Sequence, residues 1–235
     1  MTKHLPNAIT LLNLWCGCGA VVAIFANQPL AALGWLAAAA VADFADGGLA
    51  RLLKVSSPLG QQLDSLADMV SFGVAPGAIF FMMLKDNIPA NWPEEWALAG
   101  FVLSVFSGLR LGKFNIDTRQ SENFIGLATP ASTILTMGLW LVYHFNSYGY
   151  KALLGRVEVL LALVALISAL LVSEIPMFSL KLKHRAWRGN EIKFIFVAVS
   201  IALIAVLQWA SLAAVILLYI LVNLFFYLVQ RKTHS

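Results

Sequence analysis

Charge is what this sequence has least of. Among its 235 residues, Lys and Arg number 16 and Asp and Glu 12, so 12% are charged while 60% are apolar. A soluble domain is roughly 45–50% apolar and about 25% charged. So few charges cannot cover a water-soluble fold of this size, and a disordered chain needs far more of them. A soluble globular enzyme and a disordered protein are both excluded. Cysteine is scarce too, with only Cys16 and Cys18. Two positions apart on a helix, they point in different directions, which disfavours a disulfide or a thiolate metal site. They read as small apolar filler and say nothing about redox compartment. The period-2 alternation of a membrane β-barrel is missing, as are low-complexity segments and obvious internal repeats.

What the sequence does have is apolar runs, with a mean hydropathy of +0.80. Polar breaks divide them near 8–26, 29–52, 64–84, 95–113, 125–145, 153–173, 192–208 and 210–230. The expected fold is all-α, a polytopic transmembrane helix bundle of about eight spans. Eight helices of roughly 20 residues use about 160 residues, leaving short connections and no room for a separate soluble domain. The chain therefore reads as one membrane domain, 1–235. Residues 1–145 hold most of the unusual polar groups, and 150–235 read as scaffold helices. The first run is longer than a secretory core, lacks a small-x-small cleavage site and is followed by further spans, so it reads as span one. Gly and Ala are frequent, as close helix packing in lipid requires.

Eight spans put both termini on one side. That side carries Lys3, Arg51, Lys54, Arg110, Lys113, Arg119, Lys181, Lys183, Arg185, Arg188, Lys193, Arg231 and Lys232, against Lys85, Lys151 and Arg156 opposite. The asymmetry predicts cytoplasmic termini in the inner membrane. Trp92 and Trp96, in an acidic loop on the outer side, read as interfacial anchors. The basic run from Lys181 to Lys193 reads as a topology signal. It is too short to suggest nucleic-acid binding.

Charges inside spans are costly and mark function. Span two carries Asp43 and Asp46 after an apolar stretch from Pro29 to Ala42, and span three opens with Asp64 and Asp68. Asp43, Asp46, Gly47 and Ala50 share one helical face, and so do Asp64 and Asp68. Four carboxylates at one depth repel each other and stay ionised only with cations among them. All-oxygen ligation with no His in the segment favours Mg²⁺ or Mn²⁺ over Zn²⁺. Two such ions would make a template for phosphoryl transfer. A divalent-cation channel or transporter also needs intramembrane carboxylates and stands as the rival from another class. Arg51, one turn beyond Gly47, suits an anionic phosphate and hinders cation passage.

Written out, the segment is Asp43-x2-Asp46-Gly47-x2-Ala50-Arg51-x8-Gly60-x3-Asp64-x3-Asp68. It resembles, at all eight fixed positions and over 43–68, the signature of the CDP-alcohol phosphotransferase family. Within that family, several stretches are similar to the integral-membrane branch that uses serine as acceptor. They are Leu5 to Asn13, Ser71 to Pro76, Leu109 to Asn115, Gly126 to Ala131, and Ser173 to Lys181. The resemblance implies a helical membrane enzyme, usually a homodimer, embedded in membrane lipid. Its substrates would be CDP-diacylglycerol and L-serine, its products phosphatidylserine and CMP, and its cofactors two divalent cations. A sibling acceptor, glycerol 3-phosphate or inositol, is the alternative within the family. By position, Asp43, Asp46, Asp64 and Asp68 resemble the metal ligands, and Asp68 also the general base. Gly47, Arg51 and Ser57 match positions that contact the CDP group, with Asn7 and Thr10 beside them. Arg110, Asn115 and Ser71 are the candidates for holding serine. The cavity should open sideways to lipid for the acyl chains and face the cytoplasm for serine.

Overall fold

The computed structural model describes residues 4–55, 57–117, 124–178 and 190–233. Their helices are α1 (Leu5–Phe25), α2 (Pro29–Leu53), α3 (Pro58–Asp68), α4 (Ala75–Asn87), α5 (Val102–Ile116), α6 (Thr129–Phe145), α7 (Lys151–Leu154), α8 (Val157–Val172), α9 (Glu191–Leu207) and α10 (Ser211–Thr233). A π-helical stretch, Met69–Val74, joins α3 to α4, and a 3₁₀ segment, Glu94–Phe101, leads into α5. Two two-residue strands, β1 (Phe124–Ile125) and β2 (Pro176–Met177), pair antiparallel with Phe124 opposite Met177. The helices overlay the expected apolar runs. Arg119 and the basic residues Lys181, Lys183, Arg185 and Arg188 lie outside the described residues.

Five stretches among the described residues are long and apolar enough to cross a membrane: Leu5–Phe25, Pro29–Leu53, Pro58–Asn87, Glu94–Ile116 and Glu191–Val229. The protein is an integral membrane protein. The last stretch contains both α9 and α10, which are separated by a break at Gln208 with φ 47°. At 17 and 16 residues, α6 and α8 are shorter. Each is about 25 Å long at 1.5 Å per residue, a little less than a bilayer core.

Proline marks helix starts. Pro6, Pro29, Pro58 and Pro130 each occupy the first or second position of a helix, where no intrahelical partner awaits the missing N–H. The span from Pro58 to Asn87 begins a turn and a half earlier than its charges suggest. Ser57 caps it, its hydroxyl accepting from the Gly60 N–H at 3.0 Å. Inside this span, the π-helical stretch and Pro76 disturb the regular ladder. Neighbouring helices take up the carbonyls there. Thr133 of α6 donates to the Phe72 carbonyl at 3.1 Å, and Ser104 donates to the Gly73 carbonyl at 2.8 Å. Such substitutes are what an irregular backbone needs at membrane depth.

The core surrounds α4. Ile79, Phe80, Met83 and Leu84 are buried with Ile24, Leu103, Trp140, Leu141 and Leu160 from the helices around them. Glycine permits the closest approaches. A Cβ at Gly100 would strike the backbone of Phe80 and Phe81, and one at Gly138 the backbone of Ala213. Cys16 is buried in a small cluster with Ala39 and Phe72, while Cys18 is exposed.

Candidate active site

α1 packs along α2 and against α3. Between them lies a cavity of about 1080 Å³. Its wall is built from three short sequence stretches. α1 gives Asn7 and Thr10, the end of α2 gives Asp43, Asp46, Gly47, Ala50 and Arg51, and the start of α3 gives Ser57, Gly60 and Asp64. α2 ends in Lys54, whose left-handed backbone (φ 53°, ψ 38°) turns the chain, and Pro58 restarts it. This tight connection brings the two acidic helix ends together. The first turn of α3 lines the cavity, so the positive end of that helix dipole favours an anion there.

The acids divide into two environments. Carboxylate oxygens of Asp43, Asp64 and Asp68 lie within 4.8 Å of one another. Unit charges that close repel by about 3–4 kcal/mol per pair at an effective dielectric constant near 20. Three convergent, oxygen-only donors with that repulsion to relieve suit a hard divalent cation. Asp46, only 6% exposed, is within electrostatic reach of Asp43 and Asp64, is bonded by the Thr10 hydroxyl and faces the same cavity. Thr10 is thus bonded to an acid as well as lining the cavity.

The glycines of the signature differ in role. At Gly47 a Cβ would lie 3.7 Å from the Arg51 Nη1, an ordinary contact, so the protein itself does not demand glycine there. The open surface serves whatever enters the cavity. At Gly60 a Cβ would sit 3.1 Å from both the Asn7 Oδ1 and the Ser57 Oγ, so this glycine lets the α3 cap and α1 meet. Ser57 therefore both caps a helix and lines the cavity.

The three residues expected to hold serine are not brought together. Arg110 is 7% exposed and lines a second cavity of about 400 Å³, with Lys113, Phe114, Ile125, Leu171, Ser173 and Glu174. Its Nε has no hydrogen-bond partner among the described residues, and its guanidinium carbon is 5.9 Å from the Phe114 ring centre. It lies within electrostatic reach of Asp68. Asn115 instead donates to the Ser65 Oγ at 2.8 Å. Ser71 lines neither cavity. It is fully buried, and its hydroxyl is within bonding distance of the Asn13 Oδ1 (2.8 Å) and the Asn13 carbonyl (3.1 Å).

Two features went unread in the sequence. Asn13, hidden in an apolar run, donates from Nδ2 to the Asp68 Oδ1 at 3.4 Å. In the half read as scaffold, Leu171 to Glu174 wall the second cavity, and α10 secures the strand that follows. The Asn223 Oδ1 accepts from the Phe178 N–H at 2.7 Å, and the Tyr219 hydroxyl donates to the Phe178 carbonyl at 2.9 Å. Tyr219 and Asn223 are one turn apart, a spacing visible in sequence, but their partner is not.

A family model described as CDP-alcohol phosphatidyltransferase matches residues 3–174. A Mycobacterium bovis protein named CDP-diacylglycerol–serine O-phosphatidyltransferase is 33% identical over 231 residues, covering 93% of this chain and 72% of that protein. A Helicobacter pylori protein of the same name is 32% identical over 224 residues, covering 92% of this chain and 87% of its own length. A third, from Mycobacterium leprae, is 35% identical over 142 residues, and the match covers 46% of that protein and 57% of this chain. Every residue that lines the two cavities falls inside the span matched by the family model. The chain belongs to the CDP-alcohol phosphatidyltransferase family.

Proposed function

We propose that this protein transfers the phosphatidyl group of CDP-diacylglycerol to the hydroxyl of L-serine, giving phosphatidylserine and CMP. The observation that carries the reading is the convergence of Asp43, Asp46, Asp64, Gly47 and Arg51 on one cavity beside α1, with Asp68 clustered against Asp43 and Asp64. The names of the relatives support serine as acceptor. The second cavity supports it too, since it carries both signs of charge, as a zwitterion requires. Arg110 and Lys113 would take the carboxylate and Glu174 the ammonium.

In this reading the CDP group occupies the large cavity. Arg51 clamps a phosphate oxygen, the first turn of α3 favours the same negative charge, and Gly47 lets the nucleotide lie against backbone. Asp43, Asp46, Asp64 and Asp68 would hold two divalent cations, Mg²⁺ or Mn²⁺. Bound there, they supply neutralisation of the pyrophosphate charge and of the charge that builds on the departing CMP. The serine oxygen forms a bond to the phosphorus that carries the diacylglycerol, and the bond from that phosphorus to the CMP oxygen breaks. Asp68 takes the hydroxyl proton as the new bond forms. Arg110, within electrostatic reach of Asp68, orients serine for this approach.

The charge asymmetry of the sequence supports eight spans with both termini in the cytoplasm, and hence a site open to the cytoplasmic face of the inner membrane. The family resemblance supports a homodimer, with 1–145 as catalytic helices and 150–235 as scaffold. The deciding experiment supplies purified protein with CDP-diacylglycerol, Mg²⁺ or Mn²⁺, and serine, inositol or glycerol 3-phosphate, and measures CMP. Release with serine alone is expected. Release with inositol or glycerol 3-phosphate and not with serine overturns the acceptor. No release with any of them overturns the enzyme.

A further inference from the structure

We infer that Asn13 and Ser71 form a buried relay that fixes the orientation of Asp68, making them positioning residues for the transfer step. The inference rests on the reading of Asp68 as proton acceptor. Asn13 is 0% exposed in α1, and Ser71 is 0% exposed in the π-helical stretch. A carboxamide at full burial needs partners for both ends. Here the Ser71 hydroxyl donates to its oxygen at 2.8 Å, which turns the amide nitrogen toward the Asp68 Oδ1 at 3.4 Å. The reverse orientation would set the amide oxygen against the Asp68 carboxylate, which accepts but does not donate. Asp68 thus takes the amide nitrogen, and Ser71 holds the other end of the same amide.

The surrounding backbone is built for this contact. Gly17 lies one turn beyond Asn13 on the same face of α1, and a Cβ there would collide with the Ser71 Oγ and its backbone. Only glycine lets α1 come near enough for Asn13 to reach both Ser71 and Asp68. The π-helical stretch starts directly after Asp68 and contains Ser71. Asn13 reaches both, while Asp68 also clusters with Asp43 and Asp64. The donor to Asp68 is neutral, and it engages one oxygen. An uncharged amide orients the carboxylate without adding a charge to the cluster.

The test uses full-length protein in mixed micelles. Asn13→Ala should lower kcat for CMP release by about 100-fold, the scale of a misplacement of about 1 Å at a reacting group. The KM for CDP-diacylglycerol should stay within threefold and the thermal midpoint close to wild type. Ser71→Ala, which keeps the small side chain that Gly17 accommodates, should lower kcat about tenfold with the same unchanged donor KM. Because Ser71 acts through Asn13, the double variant should be no slower than Asn13→Ala. Wild-type kcat in Asn13→Ala overturns the relay. So do independent, multiplying losses in the double variant, or a fall of kcat that comes only with a lowered midpoint and a raised donor KM. Asp68→Asn run in parallel separates the two readings. If Asp68→Asn turns over normally, the role of Asp68 fails. If it is inactive while Asn13→Ala is not, only the relay fails.

Discussion

Arg110→Lys keeps the positive charge in the second cavity and removes the planar fork. Arg110 is only 7% exposed, and its Nε has no partner among the described residues, so that donor is free for an incoming carboxylate. A bidentate pair gives two charge-assisted hydrogen bonds, each worth about 1.5–3 kcal/mol in a buried setting. Lysine replaces one of them. Losing the other at about 2 kcal/mol corresponds to roughly a 30-fold weakening, since about 1.4 kcal/mol is tenfold. The loss should fall on serine, because the cavity proposed for the CDP group is the other one. Steady-state CMP release, with serine varied at saturating CDP-diacylglycerol and then the reverse, separates the two. The serine KM should rise about 30-fold, the donor KM should stay within threefold, and kcat should change little, the pattern of lost ground-state binding. An unchanged serine KM, or a donor KM that rises in step, refutes the assignment of Arg110.

Asp68→Asn should reduce turnover by 10² to 10⁴-fold, the range for a lost general base, while retaining donor binding measured by calorimetry with CDP-diacylglycerol. Gly47→Ala should fold normally, because the added methyl finds 3.7 Å to Arg51, yet raise the donor KM at least tenfold. Removing divalent ions with a chelator should abolish CMP release, and Mg²⁺ or Mn²⁺ should restore it. Tyr219→Phe combined with Asn223→Ala should raise the serine KM several-fold with an unchanged donor KM, because these side chains secure the backbone of Phe178 next to the second cavity.

Much of this could be read from the residues because lipid makes polarity costly. The apolar runs gave the helices, and the four aspartates stood out against them. The start of α3 was misjudged because Asp64 looks like the edge of a span. The Ser57-Pro58 pair, a cap followed by proline at the first helical position, marked the true start. Ser71 looked like a ligand because a hydroxyl beside a catalytic segment suggests contact with substrate. Its actual partner, Asn13, is 58 residues away, and no spacing rule connects them. Nor does periodicity show that Asp46 is bonded by Thr10, which comes from a different helix. The roles of Leu171 to Glu174, Tyr219 and Asn223 come from the way α8 packs on α5 and α10 on the chain at β2, a packing outcome with no local signal.

The π-helical turn at Met69–Val74 also makes the site sensitive to the length of the chain. Such a turn is an α-helix holding one surplus residue. Deleting Val70 would let the π-helical stretch close into ordinary α-helical turns, leaving Pro76 to disturb the ladder beyond it. Each residue of an α-helix advances about 100° around the axis, so the deletion would turn Asp64 and Asp68 by roughly that angle relative to α4. A change that relaxes the helix would thereby swing half of the acidic cluster out of phase with α2. The surplus residue works as a phase setting for the aspartates, and a shorter, better-formed helix would be a catalytically silent one.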